Sequence, residues 1–219
     1  YSFENKLLIP DNYCLEKNFV KNNPIKLKAS SGFDVIAQAI ESIFSLKGNE
    51  KSFNYAKNSL KYSIQNYLKY LDRPNLYNSK KMILASNLAG KAINISKTIA
   101  PHAISYPFTS RFGISHGHAV SLNFEKFIKF NYLNLSRYKK IQDEKKYQML
   151  FKITKTKDIN EFYNWIKYLK RKAGLEDSYK NLKINIKKEM SSIINGVNIL
   201  RLKNNPIELT KEDIKNIIN

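Results

Sequence analysis

The stretch FDVIAQAIESIFSL, residues 33–46, decides the fold. Its apolar residues Val35, Ile36, Ala39, Ile40 and Phe44 recur at the three- and four-residue spacing of a helix with one buried face. No run of alternating polar and apolar residues competes with it. Ser30 or Ser31 is expected to cap this helix and Gly48-Asn49 to end it. Asp34 then falls in the first turn, where a carboxylate interacts favourably with the helix dipole.

Outward from this stretch the pattern stays helical. A second helix is expected over about 50–71, with Tyr55, Leu60, Ile64, Leu68 and Leu71 inward and Pro74 as its stop. A third, about 79–99, is rich in small residues (Ala85, Ala89, Gly90, Ala92) and is placed centrally, because small side chains allow close helix approach. A loop carrying Pro101 and Pro107 follows, then a helix from His116-Gly117. Further amphipathic segments lie near 121–132, 144–152, 158–173 and 177–194. Thr210 and Asp213 form a capping box for a last helix to Ile218. The expected architecture is an all-α multi-helix bundle of seven to nine helices. Residues 1–30, with Pro10 and Pro24, read as a lead-in segment, and 31–219 as the helical domain.

The 219 residues can bury one sizeable core. The single cysteine, Cys14, excludes a disulfide framework and a multi-thiolate metal site. No apolar run approaches the roughly 20 residues of a transmembrane helix. The expectation is a cytoplasmic protein with no membrane partner. The net charge of +20 comes mostly from lysine spread along the whole chain. Lysine rises together with asparagine and isoleucine, a drift of composition, and Lys139-Lys140, Lys145-Lys146 and Lys187-Lys188 fall on helix surfaces. No nucleic-acid partner is expected. A homo-oligomer is left open.

All three histidines, His102, His116 and His118, lie within PHAISYPFTSRFGISHGH, residues 101–118. Imidazole is the commonest protein metal ligand. Asp34 and Gln38, four residues apart, project from one helix face. Together with His102 and His116 they would make a two-oxygen, two-nitrogen set that suits Fe²⁺ or Zn²⁺ better than Mg²⁺ or Ca²⁺. Taken singly, each residue also has an ordinary structural reading.

These segments resemble the helical C-terminal domain of the iron-containing (group III) alcohol dehydrogenases. The likeness is carried by SSGFDVIAQAIESIFSL, by SNLAGKAINI at 86–95, by the two histidines with Ser115-His116-Gly117, and by LKNNPIELTKEDIKNII at 202–218. It implies that Asp34, Gln38, His102 and His116 bind a divalent metal, Fe²⁺ or Zn²⁺. Gln38 stands where the family has a histidine, Tyr106 where many members have another histidine, and Ser115 replaces a proline. Tyr106 is either a proton donor or a packing residue. The combination of QAIES, AGKAIN, KTIAPHAISY and GHAVSL looks most like the phosphonoacetaldehyde reductase subgroup. A dianionic substrate needs cations, and Lys91, Lys97 and Arg111, with His118, are the candidates to contact it.

The implied activity is metal-dependent, NAD(P)H-linked reduction of a small aldehyde, phosphonoacetaldehyde foremost. The alternatives are another iron-type alcohol or diol dehydrogenase and a non-catalytic helical domain. The chain has no GxGxxG motif, no Gly-Gly-Gly-Ser run and no βαβ pattern. The resemblance therefore implies a nucleotide-binding domain on the N-terminal side, and the 219 residues alone are expected to be inactive.

Overall fold

The structure, a computed structural model, describes residues 8–219; the first seven residues of the expected lead-in segment lie outside these. Among the described residues there are twelve α-helices and no strand, so the all-α expectation holds, with more and shorter helices than the pattern suggested. They are α1 (Lys17–Lys21), α2 (Ile25–Phe44), α3 (Glu50–Asp72), α4 (Leu76–Ser96), α5 (Ala100–Phe112) and α6 (His116–Ser121). After these come α7 (Phe124–Leu133), α8 (Glu144–Thr154), α9 (Ile159–Ala173), α10 (Ile186–Asn195), α11 (Ile199–Leu202) and α12 (Lys211–Ile218).

Asparagine does much of the punctuation. Asn49 and Asn75 close capping boxes with Ser52 and Asn78 at the starts of α3 and α4. Thr210 and Asp213 do the same for α12, as expected. Each such box satisfies two backbone N–H groups that the helix leaves open.

Four expectations about boundaries need correction. Helix α2 begins at Ile25, behind Pro24, so Ser30 and Ser31 are interior and Asp34 is not in a first turn. Tertiary contacts hold the helix through SSG: the Tyr67 hydroxyl donates to Ala29 O at 2.7 Å and its ring lies against Gly32. Helix α2 stops at Phe44, and Asn49 starts α3 rather than ending α2. The helix expected over 177–194 begins only at Ile186.

The fourth correction bears on the site. Pro101 and Pro107 lie in α5, not in a loop. Pro101 sits in the first turn, where a missing N–H costs nothing. Pro107 cannot donate to Ala103 O, one turn back. That freed carbonyl instead accepts the N–H of Asn198 at 3.2 Å, which docks the start of α11 onto α5.

Two apolar clusters form the interior. The larger joins Phe33, Ile36, Ile40 and Phe44 of α2 to residues of α3, α7, α8 and α9, with Phe44 stacked on Tyr147 at 4.2 Å between centroids. The second joins Ala103, Ile104 and Phe108 of α5 to Ala119 of α6 and to α10 and α12. Each fully buried Phe or Ile contributes about 1.5–3 kcal/mol. Helices α2, α5 and α6 meet along the seam between the clusters, and the polar residues concentrate there.

Candidate metal centre

Gly117 lets the seam close. A Cβ at this position would lie 2.1 Å from Ser30 O and 2.9 Å from Asp34 Cβ, so only glycine allows α6 to start directly on α2. The Ser30 hydroxyl accepts from the His118 N–H at 3.1 Å and from the Ser115 hydroxyl at 2.9 Å, pinning the same turn. His116, at the head of α6, is thereby carried to Asp34. His102, near the start of α5, reaches Asp34 from the other side.

Asp34, His102 and His116 each offer one ligand atom, and the three atoms lie within 4.8 Å of one another. His102 Nε2 is 3.2 Å from Asp34 Oδ1, and His116 Nε2 is 3.9 Å from the same oxygen. The edges of a tetrahedron built on metal–ligand bonds of about 2.1 Å are about 3.4 Å long. The spacing therefore fits a divalent cation at the centre.

The state of the atoms agrees. Asp34 Oδ1 and His102 Nε2 are buried and face each other at 3.2 Å, and neither has a hydrogen-bond partner apart from that contact. Buried polar atoms in proteins are almost always bonded, and these two have only each other, an arrangement that also suits a cation between them. The other two atoms are held: Gln38 Nε2 donates to Asp34 Oδ2 at 2.7 Å, and His102 Nδ1 lies 2.5 Å from Glu41 Oε1.

Glu41 is the residue that the sequence reading missed. It is fully buried, and its second oxygen accepts the Ile99 N–H at 2.7 Å, at the entrance to α5. A carboxylate on the far nitrogen of a ligand histidine fixes the tautomer and makes the near nitrogen a better donor. The signal was present: Asp34, Gln38 and Glu41 follow the i, i+4, i+7 spacing of one helix face. Burial works against a charged His102, but Glu41 and Asp34 outweigh it and lift its pKa to about 10. Burial also opposes the Asp34 carboxylate, yet the His102 bond and the charges of His102 and His116 hold its pKa below the usual value. His116 is lowered by burial, with the positive charges of His102 and Arg201 adding to this against Asp34.

Glu41→Gln keeps the shape and removes the charge behind His102. Cation affinity is expected to fall by about 10- to 100-fold, the usual size of such outer-ligand effects. Competition against a chelator measures it, and an unchanged affinity would show that Glu41 serves packing alone.

The other sequence candidates are dispersed. The Tyr106 ring, one turn after His102, is 6.1 Å from that of His116 and carries the Arg201 guanidinium 5.4 Å from its own centroid. The His118 ring bonds Glu176 O at 2.6 Å. Arg111 pairs with Glu189 at 2.7 Å. The Lys91 ammonium lies over the Tyr13 and Tyr55 rings at 5.2 and 5.8 Å. Lys97 follows α4 with a left-handed φ of 60°. Gln38, expected as an oxygen ligand, here turns its amide nitrogen towards Asp34.

The approach to α5 is set by two buried amides. Asn204 Nδ2 donates to Ser96 O and Thr98 O, each at 2.9 Å, and Asn205 exchanges hydrogen bonds with Asn131 while accepting from the Ala100 N–H at 3.5 Å. This is the work of the NNP segment in the fold: it ties the C-terminal part of the chain to the strand of backbone that leads into His102.

An all-helical domain with an Asp–His–His cluster that could hold a cation, on the seam of two cores, is the class that the fold and site define. Residues 28–219 match the family described as the Fe-containing alcohol dehydrogenase family, C-terminal, and the chain belongs to it. The 4-hydroxybutyrate dehydrogenase of Clostridium kluyveri is 29% identical over 92% of this chain and 55% of its own length. The phosphonoacetaldehyde reductase of Streptomyces viridochromogenes is 26% identical over 48% of this chain and 27% of its own. The crystal structure of sulfoacetaldehyde reductase from Bifidobacterium kashiwanohense in complex with NAD+ superposes with a TM-score of 0.79 at 27% identity, covering 93% of this chain and 52% of that one. The chain spans about half the length of the first of these relatives and of the solved structure. Among the described residues no helix is long and apolar enough to cross a membrane.

Proposed function

We propose that this chain is the metal-binding part of an NAD(P)H-linked alcohol dehydrogenase that reduces a small aldehyde bearing an acidic group. The observation that carries the reading is the buried pair Asp34 Oδ1 and His102 Nε2, which have no partner apart from each other and lie beside His116. When bound, a divalent iron or zinc polarises a carbonyl oxygen as a Lewis acid and a reduced nicotinamide supplies the hydride. Asp34, His102 and His116 would hold the cation. Gln38 keeps Asp34 Oδ2 engaged so that Oδ1 points inward. Tyr106 stands beside His116 and donates its phenolic proton to the alkoxide. The nucleotide is held by residues beyond these, since the sequence carries no glycine-rich phosphate loop.

Phosphonoacetaldehyde is the particular substrate to which the sequence motifs point, and the Streptomyces relative supports it. The Clostridium and Bifidobacterium relatives are named for 4-hydroxybutyrate and sulfoacetaldehyde. Phosphonate, carboxylate and sulfonate have in common a negative head group on a short chain, and this shared chemistry defines the proposed substrate class.

The test is metal content after purification without air, by elemental analysis, beside His116→Ala. About one iron or zinc per chain is expected, with affinity at least about 100-fold weaker in the variant, because losing a ligand should exceed the cost of losing a residue behind one. No iron or zinc in either protein would overturn the reading.

A further inference from the structure

We infer that Arg201 receives the acidic head group of the substrate, across Tyr106 from the cation ligands. The inference rests on the aldehyde-reductase reading above and adds the residue that selects the substrate.

Arg201 is fixed in place from two directions. Its backbone N–H is capped by Asn198 Oδ1 at 3.1 Å, and Asn198 is itself held by the Ala103 carbonyl that Pro107 frees. Its Nη1 donates to the Thr98 hydroxyl, in the segment leading to His102. The guanidinium then lies on the face of Tyr106, whose ring adjoins that of His116. A short chain with its oxygen at the cation site would pass Tyr106 to reach it.

The charge balance calls for an anion there. Among the described residues no carboxylate pairs with Arg201, whereas Arg111 has Glu189 and Lys170 has Glu125. Arg201 is partly buried, so it has given up some hydration without gaining a counter-ion. A cation bound at His116 would add a second positive centre beyond the Tyr106 ring that Arg201 covers. An anionic group between the two relieves both. The planar guanidinium matches carboxylate and phosphonate oxygens in a two-pronged bond that lysine cannot copy.

The experiment uses the 219-residue chain loaded with Co²⁺, whose visible absorption reports what reaches the cation. Affinities are measured for 4-hydroxybutyrate against 1-butanol, and for 2-hydroxyethylphosphonate and 2-hydroxyethanesulfonate against ethanol. The wild type should prefer the anionic alcohols. Arg201→Gln should reduce that preference by about 10- to 100-fold, the worth of a hydrogen bond to a charged group. Arg201→Lys should keep a part of it. Which of the three anions loses most identifies the head group. If Arg201→Gln keeps the wild-type preference, the inference falls while the cation reading stands. If the wild type takes up no Co²⁺, both fall, since the head-group position is defined from the cation.

Discussion

Lys170→Ala is expected to lower the stability of the domain by about 3–5 kcal/mol, the cost of leaving a buried charge without its partner. Lys170 is 1% exposed, and its ammonium donates to both oxygens of Glu125, at 2.7 and 2.9 Å. It also donates to Ser121 O at 3.3 Å and lies 3.2 Å from Asp177. One side chain of α9 thus closes the C-terminal end of α6, anchors α7 and holds the segment after Gly174. Removing it strands Glu125, whose pKa burial already raises in spite of Lys170.

The pH dependence follows with a definite sign. A carboxylate whose folded pKa is raised binds its proton more tightly when folded, so its contribution to stability falls as pH rises through that pKa. With Lys170 gone the folded pKa rises further. The deficit of Lys170→Ala should therefore be larger at pH 8 than at pH 5. Urea unfolding at the two pH values measures it. Equal deficits would mean that Glu125 is not the stranded group. The double variant Glu125→Gln/Lys170→Met should recover much of the loss, since it strands no charge at this position.

Gly117→Ala, one methyl group, is expected to cost about 3 kcal/mol and to weaken cation binding at least tenfold or so. The new Cβ would sit 2.1 Å from Ser30 O and 2.8 Å from Ser30 C, backbone atoms inside α2 that no rotamer change can move. Helix α6 must lift off α2, and His116 goes with it, away from Asp34. Gly90→Ala is the internal comparison: nothing lies within 4 Å of a Cβ there, and the position is inside α4. That change should stabilise by about 0.5–1 kcal/mol, the usual gain of alanine over glycine in a helix. Thermal or urea unfolding and a chelator titration compare the two. A Gly117→Ala protein with unaltered midpoint and cation affinity would show that α6 does not rest on α2.

The helices were legible where their signals are local. Thr210 marks a start by a bond that spans three residues, and the apolar spacing of 33–46 repeats within each turn. Asn49 and Asn75 cap the same way, but Asn49 reads equally as a helix end and Asn75 lies ahead of the expected third helix. The α2 start and the two α5 prolines were misread for the same reason. Tyr67 donating to Ala29, and Asn198 donating to Ala103, are partners from distant parts of the chain that outweigh the local preference.

The sequence alone determined an all-helical chain, the concentration of its imidazoles in one window, and three residues, Asp34, His102 and His116, that the fold brings together. Only the tertiary structure decided that Glu41, 61 residues from His102, stands behind that imidazole. It also decided that Arg201 lies over the Tyr106 ring, while Arg111 pairs with Glu189 and Lys91 lies over Tyr13 and Tyr55. Spacing along a chain specifies neighbours within a helical turn or two. Which charged groups share a buried seam is settled by how close two helices can come, and here that depends on the missing side chain of Gly117.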